Sequence, residues 1–422
     1  MNAVVGYHEE EMSYAVDFGR DREPIKKRSR HPDYRRKGTG PARVNGIHCR
    51  RSKRWTWGSG RGARMLNLRA FASCLALAMA SITAAAMGGV LDSTVFVTIN
   101  DTGNAGNTTS GTSGPSSPSG LGAVSSIYRL ANKETTNAQY VDFLNAVDAN
   151  GTNPRGVYNT SMASGNGGIA FNSGAAAGAK YSVRSGAPAG APGGTTFANM
   201  PVNYVSWFSA ARFMNWLNAG QISGTAATVA MDGSLPTAAY VVGSATSGNI
   251  VARTANPQYY LPSYDEWYKA AFYRPTGSLY TLYQTNTNSA PTATVSNFTL
   301  ANSGNFGGAT TSPIQVGSYT NSMSAYGLYD MLGNVTEMTD GSVGGLYRAM
   351  GGGYSAAAAS WNATAAAITK DGGFTNVSYG FRVAAVPEPG TIALAGVGIA
   401  GLFGLDWMKR RKKRQVAARH EA

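Results

Sequence analysis

Three stretches of the chain have the hydrophobic spacing of amphipathic helices. After Thr136, apolar side chains recur at positions i, i+3, i+4 and i+7, namely Tyr140, Phe143, Leu144 and Val147, which predicts a first helix. Ser206 suits the N-cap of a second helix, whose apolar stripe consists of Ala210, Phe213, Met214 and Leu217. Ser263 and Glu266 have the spacing of a capping box, which predicts the start of a third helix.

Between these helices lie long stretches without hydrophobic periodicity. Residues 101–120 are rich in Gly, Ser and Thr, which predicts a flexible segment. Residues 151–199 and 219–256 are rich in Gly, Ala, Ser and Thr and are interpreted as long surface insertions. With 53 Gly and only 14% charged residues, the composition is typical of a loop-rich chain.

An apolar segment near the start of the chain has the organisation of a secretory signal. Residues 65–69 form a short basic region, residues 70–80 are apolar, and residues 83–86 offer small side chains for cleavage. We therefore predict a signal peptide at 65–87; a buried helix is the alternative. Residues 1–64 are then either a basic disordered arm or the product of a mis-assigned start codon.

A second apolar segment lies near the end of the chain. Residues 392–408 are apolar except for Asp406, and at 1.5 Å rise per residue about 17 residues just span a bilayer core, which predicts a transmembrane helix. The basic run 409–414 would remain cytoplasmic. Together with Val386-Pro-Glu-Pro-Gly-Thr391, residues 386–414 resemble the PEP-CTERM sorting signal of Gram-negative bacteria, with 415–422 as a tail. The resemblance implies export, attachment to the membrane before processing, and cleavage near Pro387–Pro389 by a sorting peptidase; a plain membrane anchor is the alternative.

The excess of positive charge lies at the two ends of the chain. Residues 1–64 carry 16 Lys/Arg against 7 Asp/Glu, and residues 409–422 carry 7 against 1, so the middle of the chain is close to neutral although the whole has a net charge of +14. A neutral core has no basic face to neutralise phosphates, so nucleic acid is not an expected partner.

Four motifs between residues 128 and 384 occur in a recognisable order. They are Asn132-Lys-Glu-Thr-Thr-Asn, Met200-Pro-Val-Asn-Tyr-Val-Ser-Trp207, Tyr260-Leu-Pro-Ser-Tyr-Asp-Glu-Trp267, and Gly327-Leu-Tyr-Asp-Met-Leu-Gly-Asn-Val-Thr-Glu337 followed by Arg348-Ala-Met-Gly-Gly-Gly-Tyr354 and Gly380-Phe-Arg382. Together they resemble the formylglycine-generating enzyme, or sulfatase-modifying factor, family. The resemblance implies an α+β, C-type-lectin-like fold with little regular secondary structure over residues 126–385, preceded by a flexible polar segment at 88–125.

The resemblance also implies a chemistry that this chain lacks the residues to perform. The family enzyme oxidises a substrate cysteine with copper held by two thiolates, and soft Cu(I) requires soft sulfur ligands. The motif alignment places Ala356 and Trp361 at the two cysteine positions. Residues 75–419 contain neither Cys nor His, so copper is not expected, and iron held by three His and a Ser-His-Asp hydrolase are excluded as well.

Calcium is the cofactor that the resemblance still allows, because Ca²⁺ takes hard oxygen ligands. By resemblance, Asp330 and Glu337 would supply side-chain oxygens, and Gly333 and Val335 backbone carbonyls. The alternative is a tight turn with Asn334 at positive φ and Glu337 paired with a core arginine such as Arg382. A second family site would begin at Asn297-Phe298, with Asn305 as a candidate later ligand.

These observations predict an exported, non-catalytic and calcium-stabilised binding or structural protein of the cell envelope or extracellular matrix. Its ligand would be a polysaccharide or a surface protein. The alternatives are a formylglycine-generating oxidoreductase that acts on sulfatase cysteine, and a membrane-anchored surface scaffold.

Overall fold

The computed structural model describes residues 89–108, 120–189, 191–363 and 367–387. Within these ranges the chain is a mixture of α and β structure with few helices and long connecting loops. The α-helices are Asn137–Val147 (α1), Trp207–Asn218 (α2), Thr225–Met231 (α3) and Tyr264–Phe272 (α4).

The three helices predicted from sequence begin where their capping residues stand. Thr136 caps α1 and forms a capping box with Gln139. The Ser206 side chain accepts a hydrogen bond from the Ser209 backbone N–H at the start of α2. Ser263 and Glu266 form the predicted capping box of α4, which satisfies two backbone donors that a helix start otherwise leaves unpaired.

Two four-stranded sheets organise the fold. The first has the order β1-β2-β14-β5, with antiparallel pairing throughout. The second has the order β12-β11-β10-β13, in which only β10 and β13 are parallel. Their strands are Phe96–Ile99 (β1), Tyr128–Ala131 (β2), Tyr259–Tyr260 (β5), Thr336–Val343 (β10), Leu346–Met350 (β11), Ala367–Lys370 (β12), Tyr379–Gly380 (β13) and Ala384–Ala385 (β14).

Three two-stranded ribbons complete the described strands. Their strands are Ile169–Phe171 (β3) with Tyr181–Val183 (β4), Tyr273–Arg274 (β6) with Leu279–Tyr280 (β7), and Thr292–Ala293 (β8) with Ser303–Gly304 (β9). Strands of two or three residues carry no readable alternation of apolar and polar positions, and none of these six was predicted.

The hydrophobic core lies where α1 and α2 meet the sheets. Phe213 of α2 packs against Tyr140 and Phe143 of α1 and against Phe381, with ring centroids 5.4–6.0 Å apart. All four side chains are fully buried. The apolar stripes predicted for α1 and α2 are therefore their core-facing sides.

The folded domain differs from the sequence expectation at its start and in its loops. It begins before residue 126, because β1 pairs along its whole length with β2, so residues 96–99 are not part of a flexible segment. Residues 151–199 and 219–256 are also not simple surface insertions, since they place Ile169, Met231 and Tyr240 in the core with no exposed surface. The Gly-rich composition of these two segments did not predict that individual side chains in them would be buried.

Several predicted segments lie outside the described residues. They are residues 1–64, the signal peptide at 65–87, the transmembrane helix at 392–408 and the tail at 415–422. Among the residues that the structure does describe, no helix is both long enough and apolar enough to cross a membrane.

Candidate functional site

Glu337 forms a buried ion pair with Arg382. The guanidinium Nε and Nη2 atoms of Arg382 each donate to one Glu337 carboxylate oxygen at 2.5 Å, and the Trp267 indole N–H donates to Glu337 at 2.8 Å. The side chains of the pair are 0% and 1% exposed. Arg382 also donates to the carbonyls of Ala131 and Tyr329, so the pair ties strand β10 to strand β2 and to the segment before Asp330.

Asp330 and Glu134 form a second buried group, in which the two carboxyls interact electrostatically. One Asp330 oxygen accepts from the Gly317 backbone N–H at 2.5 Å. Glu134 Oε1 accepts from Asn334 at 3.1 Å, while Glu134 Oε2 is buried without a hydrogen-bond partner. Burial, and then the neighbouring Asp330 carboxyl, raise the pKa of Glu134 well above its usual range. Burial also raises the pKa of Asp330.

The turn between these two groups has the positive-φ geometry that the sequence offered as the alternative to a calcium loop. Asp330 and Asn334 have φ values of 55° and 58°. The Asn334 side-chain oxygen accepts from the Ile314 backbone N–H at 2.8 Å. Gly333 also has positive φ, and a Cβ there would lie 2.1 Å from the Asn305 carbonyl oxygen, so only glycine fits at this position.

The calcium ligands predicted at this turn lie within eight consecutive residues, but the side chains of Asp330 and Glu337 have different partners. Asp330 faces Gly317 and Glu134, whereas both oxygens of Glu337 accept from the Arg382 guanidinium. Gly333 and Val335 are buried between them. Glu337 therefore does not fit the predicted ligand set, because a cation beside it would be repelled by the guanidinium that already neutralises it.

The second predicted calcium site is dispersed. Asn297 is exposed, and its side-chain oxygen accepts from the backbone N–H and hydroxyl of Thr299. The ring of Phe298 packs on Tyr319 with centroids 5.3 Å apart. Asn305 is buried and has its own partners, Thr310 and Ser312. Across the described ranges, no group of three or more His, Cys, Asp or Glu is arranged to hold a metal ion.

Ala356 and Trp361, at which the motif alignment predicts the family's two cysteine positions, lie together in an apolar cluster. Trp361 is 8% exposed and packs with Phe306 and Leu332, and Ala356 packs against the same cluster. The indole also lies over Gly352, where a Cβ would lie 2.6 Å from the ring. This region therefore offers packed hydrocarbon where copper would need two thiolates, and it does not fit that metal.

A third polar group, formed by Arg253, Glu266 and Asp340, was not predicted. Arg253 lies 3.4 Å from each carboxylate and over the Tyr260 ring at 4.0 Å. The Tyr240 hydroxyl donates to Asp340 at 3.1 Å. Burial raises the pKa of Asp340 to about 6, although Arg253 opposes the shift. The capping-box spacing predicted the role of Glu266 at the helix start. It did not predict the contact of Glu266 with Arg253, which lies in an irregular loop.

Comparison with known proteins agrees with the motifs. The sulfatase-modifying factor enzyme 1-like domain matches residues 98–386, which is more than half of the chain. The chain belongs to this family. The PEP-CTERM protein-sorting motif matches residues 385–412, so the family domain is followed directly by a signal for export, envelope association and processing by a sorting protease. No curated protein matches the chain.

Solved structures show distant similarity. Treponema denticola variable protein 1 is 19% identical, with a TM-score of 0.42 over 70% of this chain and 95% of that one. CarF is 18% identical, with a TM-score of 0.38 over 70% and 99% of the two chains. PvdO from Pseudomonas aeruginosa is 16% identical, with a TM-score of 0.35 over 69% and 94%.

Proposed function

We propose that this chain is a non-catalytic member of the sulfatase-modifying factor family that is displayed at the cell envelope or in extracellular polymer. The observation that carries this proposal is the replacement of both family cysteines by Ala356 and Trp361, which share one apolar cluster. The family domain, which matches residues 98–386, has no other Cys that could supply a thiolate pair, since both cysteines of the chain, Cys49 and Cys74, precede it.

Without the thiolates that the oxidation requires, the family fold is still suited to binding a ligand. We propose that this chain has the C-type-lectin-like fold of its family. In such a fold a stable base supports long loops, and these loops form a variable surface. The loops at 151–199 and 219–256 suit this role, because each is anchored by buried residues while most of its Gly, Ser and Thr positions remain accessible. The ligand class that suits small polar loops is a polysaccharide or a surface protein.

Calcium remains part of the proposal as a stabilising ion, but not at Glu337. The Glu337–Arg382 pair already supplies the bracing that an ion would give there. Asp330 is the predicted ligand whose carboxylate forms no salt bridge with an arginine among the described residues, and it is the residue around which we place calcium.

An activity assay tests the absence of catalysis. The full-length chain would be incubated with copper, oxygen, a thiol reductant and a sulfatase peptide that contains the modifiable cysteine, beside an active formylglycine-generating enzyme. We expect mass spectrometry to show unchanged peptide with this chain and converted peptide with the active enzyme. Conversion of the peptide by this chain would contradict the proposal.

A second measurement separates the sorted form from a membrane-anchored scaffold. Mass spectrometry of the protein isolated from its native envelope would report its mature C-terminus. A terminus near residues 387–389 supports sorting, and a terminus at residue 422 supports a retained anchor.

A further inference from the structure

A groove lies at the end of the first sheet, where the family domain meets the sorting motif. Its volume is about 610 Å³, and Val386 and Pro387 contribute to its lining. The segment before β2 contributes Ile127, and the loop before β5 contributes Asn256 and Gln258. The groove therefore adjoins the Pro-Glu-Pro box, residues 387–389, near which the sorting peptidase is expected to act.

Strand pairing ends at the first residue of this box. Ala385 pairs with Tyr259 of β5, and the Val386 backbone N–H donates to the Gln258 carbonyl at 3.0 Å. Pro387 has no N–H, so it cannot donate the next hydrogen bond of the ladder. The domain thus holds the residues before the box in an extended conformation, and a segment that is already fixed loses less conformational entropy when a partner binds it.

The short distance along the chain brings any enzyme that reaches the box close to the groove. Four residues, 388–391, separate Pro387 from the apolar segment that begins at Ile392, and this length of chain spans at most about 17 Å. A protein–protein contact of ordinary size covers roughly 800 Å² of each partner, which is a patch wider than this reach. A peptidase bound at the box would therefore also cover the groove.

The groove surface suits a protein partner of mixed apolar and polar character. Ile127 and Val386 are 45% and 40% exposed, and the exposed amide of Asn256 lines the same groove. The two charged residues of the lining, Arg253 and Glu266, lie 3.4 Å apart and neutralise each other. The groove therefore offers apolar area and hydrogen-bonding groups without an unpaired charge that binding would have to desolvate.

We propose that this groove is a docking site for the sorting peptidase, which would hold the folded domain through Ile127, Val386 and Asn256 while it processes the adjoining motif. The matching peptidase surface presents apolar side chains to Ile127 and Val386 and hydrogen-bonding groups to Asn256. The proposal rests on the sorting part of the proposed function, and it adds a folded surface to the linear motif that the peptidase recognises.

The rate of processing tests this site. The full-length chain would be pulse-labelled in its native host, and mass spectrometry would follow the loss of the residues after the box. Ile127→Ser removes an apolar contact, and Ala255→Trp fills the groove from an exposed position in its lining. We expect each variant to be processed about fivefold more slowly than the wild type. Ala255→Trp serves if Ile127→Ser lowers the Tm of the purified full-length chain.

Two control variants carry the same new side chains at exposed positions outside the groove. Val343→Ser changes a residue that is 42% exposed, close to the exposure of Ile127. Ala177→Trp places the indole on an exposed loop. We expect both controls to be processed at the wild-type rate, so slowing in the controls as large as in the groove variants would contradict the docking site.

A flexible insertion between Val386 and Pro387 distinguishes docking from obstruction. About eight Gly and Ser residues there leave β14 and the box intact, and they separate the box from the groove by about 15 Å on average. We expect this insertion to slow processing, because the box no longer adjoins the docking surface. If the domain merely obstructs the peptidase, the insertion would accelerate processing, and that result would overturn the proposal.

The remaining outcomes also decide the proposal. Wild-type rates in both groove variants would overturn it, and they are the result expected if the groove contacts only lipid, a polysaccharide or a second copy of the chain. A wild-type chain that keeps residue 422 would refute sorting itself and the docking site with it. A wild-type chain that is processed no faster than its groove variants would refute the docking site alone.

Discussion

At the scale of single residues, the Glu337–Arg382 pair shows how this chain solves a problem that a metal could also solve. A buried carboxylate is costly unless it is paired and hydrogen-bonded. Here the guanidinium and the Trp267 indole supply three donors to its two oxygens. The motif position at which the resemblance implies a calcium ligand is therefore occupied by a carboxylate that pairs with a guanidinium in the core.

Asp340 makes stability depend on pH. Burial raises its pKa in the folded state to about 6, compared with about 3.9 in an unfolded chain. The folded state then holds the proton more tightly, so this contribution to stability is full below about pH 4 and is lost as the pH rises to about 6. Between pH 4 and 7 the titration of Asp340 should lower the free energy of unfolding of the wild type by roughly 2–3 kcal/mol. We expect Asp340→Asn to abolish this decrease.

Urea unfolding at several pH values measures this effect as a difference between variants. The asparagine can still accept from Tyr240, and Arg253 keeps Glu266 as a partner. Asp371→Asn, outside this group, controls for the general loss of a carboxylate. An Asp340→Asn protein whose stability falls between pH 4 and 7 as steeply as that of the wild type would refute the assignment.

Contacts between single residues could be predicted only where both residues lie in recognised sequence motifs. The pairing of Glu337 with Arg382 was available as an alternative, because each residue lies in a recognised motif. The contact of Asn334 with Glu134 was not, since the two lie 200 positions apart and no local pattern links them. The side-chain oxygen of Gln284 is buried and has no hydrogen-bond partner among the described residues. No sequence pattern indicated this burial, because glutamine in a polar loop is ordinarily exposed.

At the scale of elements, capping chemistry was the most reliable guide. Ser263 accepts from the Glu266 backbone N–H at 3.1 Å, and Glu266 accepts from the Ser263 backbone N–H at 2.7 Å. We expect Ser263→Ala to lower the free energy of unfolding by about 1 kcal/mol. Ser263→Thr, which keeps the hydroxyl, should lose much less in the same urea titration. Equal losses in the two variants would show that the cap is not the cause.

The elements that could not be predicted are those that tertiary contacts create. Strands β13 and β14 are two residues long and exist because neighbouring strands complete their hydrogen bonds. The stretches 151–199 and 219–256 were interpreted as insertions from their composition, yet single residues such as Ile169 and Tyr240 anchor them in the core. Periodicity detects a helix face, but it does not detect one buried side chain in a polar loop.

At the scale of the whole molecule, the domain and the sorting motif meet without a linker. Strand β14, Ala384–Ala385, lies between β2 and β5 in the first sheet, and the Val386 backbone N–H donates to the Gln258 carbonyl at 3.0 Å. The sorting motif begins at residue 385. Processing near residues 387–389 would therefore cut directly beside the last strand and leave its pairing complete.

Two truncations test how closely this boundary is set. A chain ending at Pro387 keeps β14 and should unfold cooperatively with the Tm of the longer protein. A chain ending at Arg382 loses β14 and Val383, which is 1% exposed and whose carbonyl accepts from the Ala131 backbone N–H. Since β14 joins β2 to β5, we expect that chain to lose cooperative unfolding in circular dichroism. Equal stability of the two chains would mean that β14 is dispensable, and that a sorting peptidase could cut inside the domain without consequence.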